Sequence, residues 1–190
     1  MRGRLDGPED AGAAVVACPP HPQHGGDRTD RRLRAVSDAL AERGVACLRF
    51  DYGPWDEGRG ERADARNAVD WAADRHERVG LYGFSFGASM ALLAGSDRTD
   101  ALAAVVALAP AAQVGDADVP DALERIADSG RPVAVVYGER DDTADWRPVV
   151  ERAAALGVPT TKLSADHFFI GQSDAVAAAV LDHLGPLLDD

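Results

Sequence analysis

The segment Gly83-Phe84-Ser85-Phe86-Gly87 sets a serine between two glycines at the spacing G-x-S-x-G. A serine that attacks a carbonyl carbon must project from a tight turn, and flanking glycines relieve the crowding of such a turn. A helix opening at that serine points its N–H groups and dipole at a developing oxyanion. A glycine-rich turn with a capping serine has the same letters, so the pattern needs partners. Gly138-Glu139-Arg140-Asp141-Asp142 offers an acid that can orient a histidine and stabilise its imidazolium. Asp141 is the first candidate and Asp142 its rival; helix capping fits Asp145 better. Ser164-Ala165-Asp166-His167-Phe168-Phe169 offers the histidine. His76, among Asp74, Arg75, Glu77 and Arg78, reads as solvent-facing, and His183 sits in the last helical segment.

Acyl chemistry also needs two N–H donors for the oxyanion. The first is that of Phe86, the residue after the serine. The second should come from the loop Pro19-Pro20-His21-Pro22, where only His21 retains an N–H. The prolines would hold that donor rigidly, as preorganisation requires. A metal site from His21, His24 and Asp27 is the rival reading, but no HExxH helix or cysteine pair accompanies it. No metal and no organic cofactor is expected.

The elements that must position these residues alternate regularly. Ala13–Cys18, Val45–Phe50, Arg78–Tyr82, Ala101–Leu108 and Pro132–Tyr137 are short apolar runs that read as strands, and Thr160–Leu163 reads as a short final strand. Between them lie helical patterns. Thr29–Arg43 puts Leu33, Val36 and Leu40 on one face and stops at Gly44. Glu61–Asp74 carries Ala65, Ala68, Val69 and Ala72, and a small-residue helix runs from Gly87 to about Ala94. Pro120 opens a helix with Leu123 and Ile126 inward and Gly130 at its end. Asp145–Leu156 and Ser173–Leu184 complete the set. Strands alternating with amphipathic helices require crossovers, hence a mostly parallel sheet covered on both faces. Functional groups then gather at the carboxyl ends of the strands. Ser85, Asp141 and His167 each follow a strand, in the chain order that a Ser–acid–His triad takes on such a sheet. Cys18 and Cys47 fall in strands expected to be neighbours and read as buried free thiols.

With these residues assembled, the chain resembles the α/β-hydrolases, and within them the small bacterial and archaeal hydrolases related to dienelactone hydrolase. The likeness rests on HPQHGGD at 21–27, GFSFGAS at 83–89, GERDD at 138–142 and DHFF at 166–169, and extends over essentially the whole chain. It implies a three-layer α/β/α sandwich with six or seven strands. It implies Ser85 as nucleophile, His167 as general base and acid, Asp141 as its orienter, and the His21 and Phe86 N–H groups as the oxyanion hole. Dienelactone hydrolase itself uses a cysteine nucleophile, so the dienelactone substrate does not follow. Relatives often carry HPHP where this chain has Pro19-Pro20-His21-Pro22. At the N-terminus only Met1–Leu5 can form a strand before Ala13. Only Ala111–Val119 separates Pro110 from the next helix, too little for a lid domain. An open site is expected, roofed by Asp51–Gly60 and Phe168-Phe169, with Tyr52, Trp55, Phe84 and Phe168 lining a pocket or packing the loops onto the sheet.

Length and charge bound the rest. The 190 residues suit one domain, here residues 1–190, with 46% hydrophobic and 27% charged residues. Basic residues near Met1 are followed by no apolar stretch, and no run is long enough to span a membrane, so a cytoplasmic protein is expected. The net charge of −12 argues against nucleic acid or an anionic membrane as partner. One lysine stands against nineteen arginines, and Asp outnumbers Glu three to one. A halophilic protein from a haloarchaeal, high-salt cytoplasm would show this surface; a G+C-rich genome would leave a similar composition. The reading that follows is a serine hydrolase acting on a small-molecule ester or thioester. A peptidase or amidase with the same triad, and a non-catalytic binding protein on the same scaffold, are the alternatives.

Overall fold

In a computed structural model, which describes residues 2–185, the apolar runs become the strands of one sheet. The strands are β1 (Arg2–Asp6), β2 (Ala13–Cys18), β3 (Ala46–Asp51), β4 (Arg78–Phe84), β5 (Ala104–Leu108), β6 (Gln113–Val114), β7 (Ala117–Asp118), β8 (Val133–Gly138) and β9 (Thr160–Leu163). The helices are α1 (Arg31–Ala41), α2 (Arg59–Ala73), α3 (Phe86–Asp97), α4 (Val119–Asp128), α5 (Arg147–Leu156) and α6 (Ser173–His183). Seven strands pair in the order β1-β3-β2-β4-β5-β8-β9. Every neighbouring pair is parallel except β1 against β3. This is the α/β-hydrolase fold, with its helices in two layers and no lid.

Side-chain alternation divides the core. Val16, Cys18, Leu48 and Phe50 point to the face covered by α2, α3, α4 and α5. Val15, Ala17 and Cys47 point to the face covered by α1 and α6. Helix α3 is buried continuously from Phe86 to Gly95, which explains its run of small and apolar residues. The edge strand β1 is fastened by Asp6, whose carboxylate accepts from Arg49 Nε at 2.7 Å and Ser37 Oγ at 3.0 Å. Met1, read from sequence as part of this strand, lies outside the described residues.

Some boundaries shift for local reasons. Helix α2 starts at Arg59 because Gly58, at φ 92°, breaks the preceding chain and Glu61 accepts its N–H at 2.9 Å. The strand expected from Ala101 begins at Ala104, since Ala101 N–H closes a turn onto Arg98 O. Asp145 does not cap α5; Trp146 takes that position, its indole N–H donating to Asp141 O at 3.0 Å. Residues 111–119, read as a plain connection, contain the β6–β7 hairpin. No helix among the described residues is long and apolar enough to cross a membrane.

Cys18 and Cys47 are both free and fully buried, on β-neighbours where Cys47 pairs with Val15. Burial pushes both thiols up to about 12. Neither is expected to react with a chromogenic disulfide reagent at mild alkaline pH while folded, and both react once denaturant is added. A fast-reacting thiol in the native protein would contradict this packing.

Candidate active site

The turn after β4 is the tightest backbone feature of the molecule. Ser85 takes φ 57° and ψ −122°, a region that non-glycine residues rarely occupy. A Cβ at Gly83 would collide with the Gly87 carbonyl, and one at Gly87 with the Cys18 and Pro19 carbonyls. Both glycines of the motif are thus required by close backbone approach, and the second seats the start of α3 against the loop after β2. Ser85 N–H still donates to Leu108 O at 2.8 Å, so the sheet ladder carries through the turn.

Ser85 Oγ lies 2.9 Å from His167 Nε2, and His167 Nδ1 lies 2.7 Å from Asp141 Oδ2. A carboxylate only accepts, so Nδ1 carries the proton and Nε2 is left to accept the hydrogen bond of the Ser85 hydroxyl. His167 is 5% and Asp141 1% exposed, whereas Ser85 is half-buried and Asp142 exposed. Burial would raise the Asp141 carboxyl. Hydrogen bonds from His167 and from the Ala144 and Thr143 N–H groups, at 3.0 and 2.9 Å, outweigh it and hold the group below the usual range. The geometry therefore joins Ser85, His167 and Asp141, and leaves Asp142 out.

The two donors expected for an oxyanion are free to serve. Phe86 opens α3, so the helix cannot satisfy its N–H. His21 N–H meets no acceptor among the described residues, while His21 O accepts from His24 and Gly26, both at 3.0 Å, which fixes the loop. The His21 and His24 rings stack at 4.5 Å, and Asp27 turns to accept from Thr29 N–H at 2.7 Å. Among the described residues no three His, Cys, Asp or Glu side chains converge as metal ligands.

A cavity of about 520 Å³ opens over Ser85 and His167. Trp55 lines it, but three other aromatic residues expected there do not. Phe84 is buried beneath the histidine, its ring 5.3 Å from that of His167. Tyr52 stands behind Phe86, edge-on at 5.8 Å, with its hydroxyl buried and unpaired. Phe168 packs edge-on against the His167 ring at 5.4 Å and faces solvent. Phe169, expected in the roof, is buried in the core at φ 48°. The hairpin takes that place: Gln113, Val114 and Gly115 line the cavity, with His24, Glu57, Ala111, Thr143 and Ala144. Two-residue strands carry no periodicity, so nothing in the sequence marked them. His76 is buried rather than solvent-facing, its Nδ1 donating to Ala11 O at 2.7 Å; past α2 the chain turns back along Gly12 and draws the ring inward. His183 meets Thr161 Oγ1 at 2.8 Å, remote from the cavity.

One buried cation supports the histidine from outside the cavity. Arg32, 9% exposed, is held by the α1 cap residue Asp30 and donates from Nη1 to Phe168 O at 3.0 Å. Its guanidinium also lies 4.1 Å over the Phe84 ring. Arg32 therefore clamps the residue after His167 to the residue before Ser85. The His167 Nδ1 proton should give a downfield NMR resonance that Asp141→Asn abolishes. Arg32→Ala should broaden it through faster exchange, and Arg32→Lys, which keeps a donor for Phe168 O, should restore it in part. A sharp resonance in a folded Arg32→Ala protein would remove Arg32 from this role.

Known proteins share this architecture. A serine hydrolase without lid from Xanthomonas campestris superposes with a TM-score of 0.78 at 24% identity, covering 96% of this chain and 87% of that one. Est1E from Butyrivibrio proteoclasticus gives 0.80 at 19% identity, covering 96% and 94%. A dienelactone hydrolase from Anabaena variabilis gives 0.77 at 23% identity, covering 98% and 92%. At these identities the likeness is one of fold. No protein of curated function matches the sequence significantly. The family model of the X-Pro dipeptidyl-peptidases (S15 family) matches residues 28–125, a span that includes the Ser85 turn and ends before Asp141 and His167. That span is more than half of the 190 residues, and the chain belongs to the X-Pro dipeptidyl-peptidase (S15) family.

Proposed function

We propose that the protein is a serine hydrolase that cleaves carboxylic esters or thioesters through an acyl-enzyme. The observation that carries this reading is the unbroken relay from Ser85 Oγ through His167 to Asp141. Ser85 Oγ attacks the acyl carbon as His167 Nε2 takes its proton. The carbonyl oxygen becomes an oxyanion, received by the N–H groups of Phe86 and His21. The bond to the alcohol or thiol breaks, and His167 returns the proton to the departing atom. Water then attacks the acyl-enzyme, again losing a proton to His167, and the acid leaves as Ser85 recovers its own. Asp141 stays ionised and stabilises the imidazolium at each step. Each of these groups belongs to the chain itself, so the cycle calls on no cofactor. A small molecule suits a cavity of about 520 Å³, and Est1E has been solved with ferulic acid bound.

Family membership supports a second reading, an amide or peptide hydrolase using the same residues. A substrate with a free N-terminal ammonium would find Glu57 in the cavity wall. The two readings separate on substrate. Wild type should hydrolyse p-nitrophenyl acetate and butyrate, and Ser85→Ala should lower turnover at least about a thousandfold. Faster Ser85-dependent release from glycyl-prolyl p-nitroanilide than from the esters would favour the peptidase. A folded wild type that cleaves none of these and is not labelled at Ser85 by a fluorophosphonate would be a binding protein on this scaffold.

The acidic surface we read as an adaptation to high salt. Molar potassium chloride should raise the melting temperature markedly by screening repulsion within a chain of net charge −12. Equal melting temperatures in low and molar salt would leave base composition as the source of the charge.

A further inference from the structure

The cavity wall holds more aromatic surface, and less positive charge, than ester cleavage alone requires. His21 is its hub, with ring centroids of Trp55 at 4.5 Å and Phe86 at 4.8 Å, and Trp55 lies 5.6 Å from Phe86. The rings are fixed from behind. The buried Glu61 carboxylate accepts the N–H groups of Asp56 at 3.0 Å and Gly58 at 2.9 Å, and Asp64 accepts that of Gly53 at 2.7 Å. Trp55 thus sits on a loop pinned on both sides. Burial and the nearby His24 hold His21 below the usual imidazole range, so its ring is neutral at neutral pH and adds no positive charge to the wall. Among the described residues no Lys or Arg lines the cavity; apart from the histidines, its one charged side chain is Glu57, which is exposed and pairs with Arg59 Nη2 at 3.2 Å.

These features discriminate between substrates. A flat, uncharged ring gains stacking or edge contacts against such a wall. An anion entering the cavity gives up water and finds no free cation in its wall, since the neighbouring Arg59 is already held by Asp56 and Glu57. We propose that the site selects uncharged esters bearing a planar aromatic group, held by Trp55 and His21, over anionic ones, for which the wall offers no free cation. This inference rests on the hydrolase reading and narrows its substrate class.

Two matched substrate pairs test it. Ethyl benzoate and ethyl cyclohexanecarboxylate present rings of similar size, one flat and one puckered. Their kcat/KM ratio should fall about three- to tenfold in Trp55→Ala relative to wild type. Ethyl para-acetylbenzoate and monoethyl terephthalate differ mainly in charge. Wild type should favour the uncharged ester by about tenfold or more. An unchanged ratio in Trp55→Ala, or an anionic ester cleaved as well as its neutral partner, overturns the inference while leaving ester hydrolysis intact. Absence of Ser85-dependent turnover on every ester would defeat the hydrolase reading instead. Ligand binding then still decides: Ser85→Ala, titrated by its tryptophan fluorescence, should bind benzamide more tightly than benzoate. Equal binding, or tighter benzoate, would overturn the selectivity.

Discussion

The backbone contact between Gly83 and Gly87 is the constraint on which the rest of the structure depends. It forces the chain to reverse from strand to helix within one residue, and that residue is Ser85 at φ 57°. Holding a non-glycine residue there costs about 1–3 kcal/mol. The surroundings offset it. β4 lies between β2 and β5, the Ser85 N–H remains in the sheet ladder, and α3 is buried along ten successive residues. The turn cannot relax without lifting a central helix off a central strand. A strained serine is therefore stable here, and its hydroxyl keeps one direction.

Everything else in the site reaches toward that fixed hydroxyl from neighbouring strand ends. The loop after β2 is pressed onto the start of α3 by the approach of Gly87 to Cys18 and Pro19. The loop after β8 is held by the Trp146 indole, which binds Asp141 O and stacks on Tyr137 at 4.5 Å. The loop after β9 is held by Arg31 and Arg32, which both donate to Phe168 O. Asp141 shows why such support matters. A buried carboxylate is tolerable only when hydrogen bonds replace its water, and three donors do so here. The same donors fix its orientation, so His167 has one tautomer and one place to stand.

The parts of this arrangement that follow from period and spacing were legible in the sequence. Short, mostly apolar runs bounded by turn residues read as strands, and their alternation with helices dictated the parallel sheet. Ser85, Asp141 and His167 stood out because each follows such a run. The parts that depend on long-range packing were not legible. His76 sits among charged neighbours, yet a backbone carbonyl from the start of the sheet draws it inside. Phe84 has the chemistry of a pocket residue but faces the core, because alternation along β4, not residue type, decides its direction, and Tyr52, just past β3, packs edge-on behind Phe86. The β6–β7 hairpin was invisible because its two-residue strands are too short to show a pattern. Arg32 looked like any surface arginine of a helix, and only the fold brings Phe84 and Phe168 to it.

No lid covers the cavity among the described residues, and the short connections around it are held still instead. The means are visible in carboxylates that bind backbone rather than cations. Glu61 and Asp64 take the N–H groups of the Trp55 loop, and Asp141 takes those of residues 143 and 144, which line the cavity. Ser89 does the same for Ala111, accepting its N–H and donating to its carbonyl, both at 3.0 Å. These wall segments are thus tied to a helix or to Asp141 through their backbones, which leaves their side chains free to vary. Substitutions at Trp55, Glu57 or Val114 change what the cavity meets without loosening what holds it. In a molecule built this way, a few loop side chains set what the cavity can admit, and the hydrogen bonds joining Ser85, His167 and Asp141 beneath them stay the same.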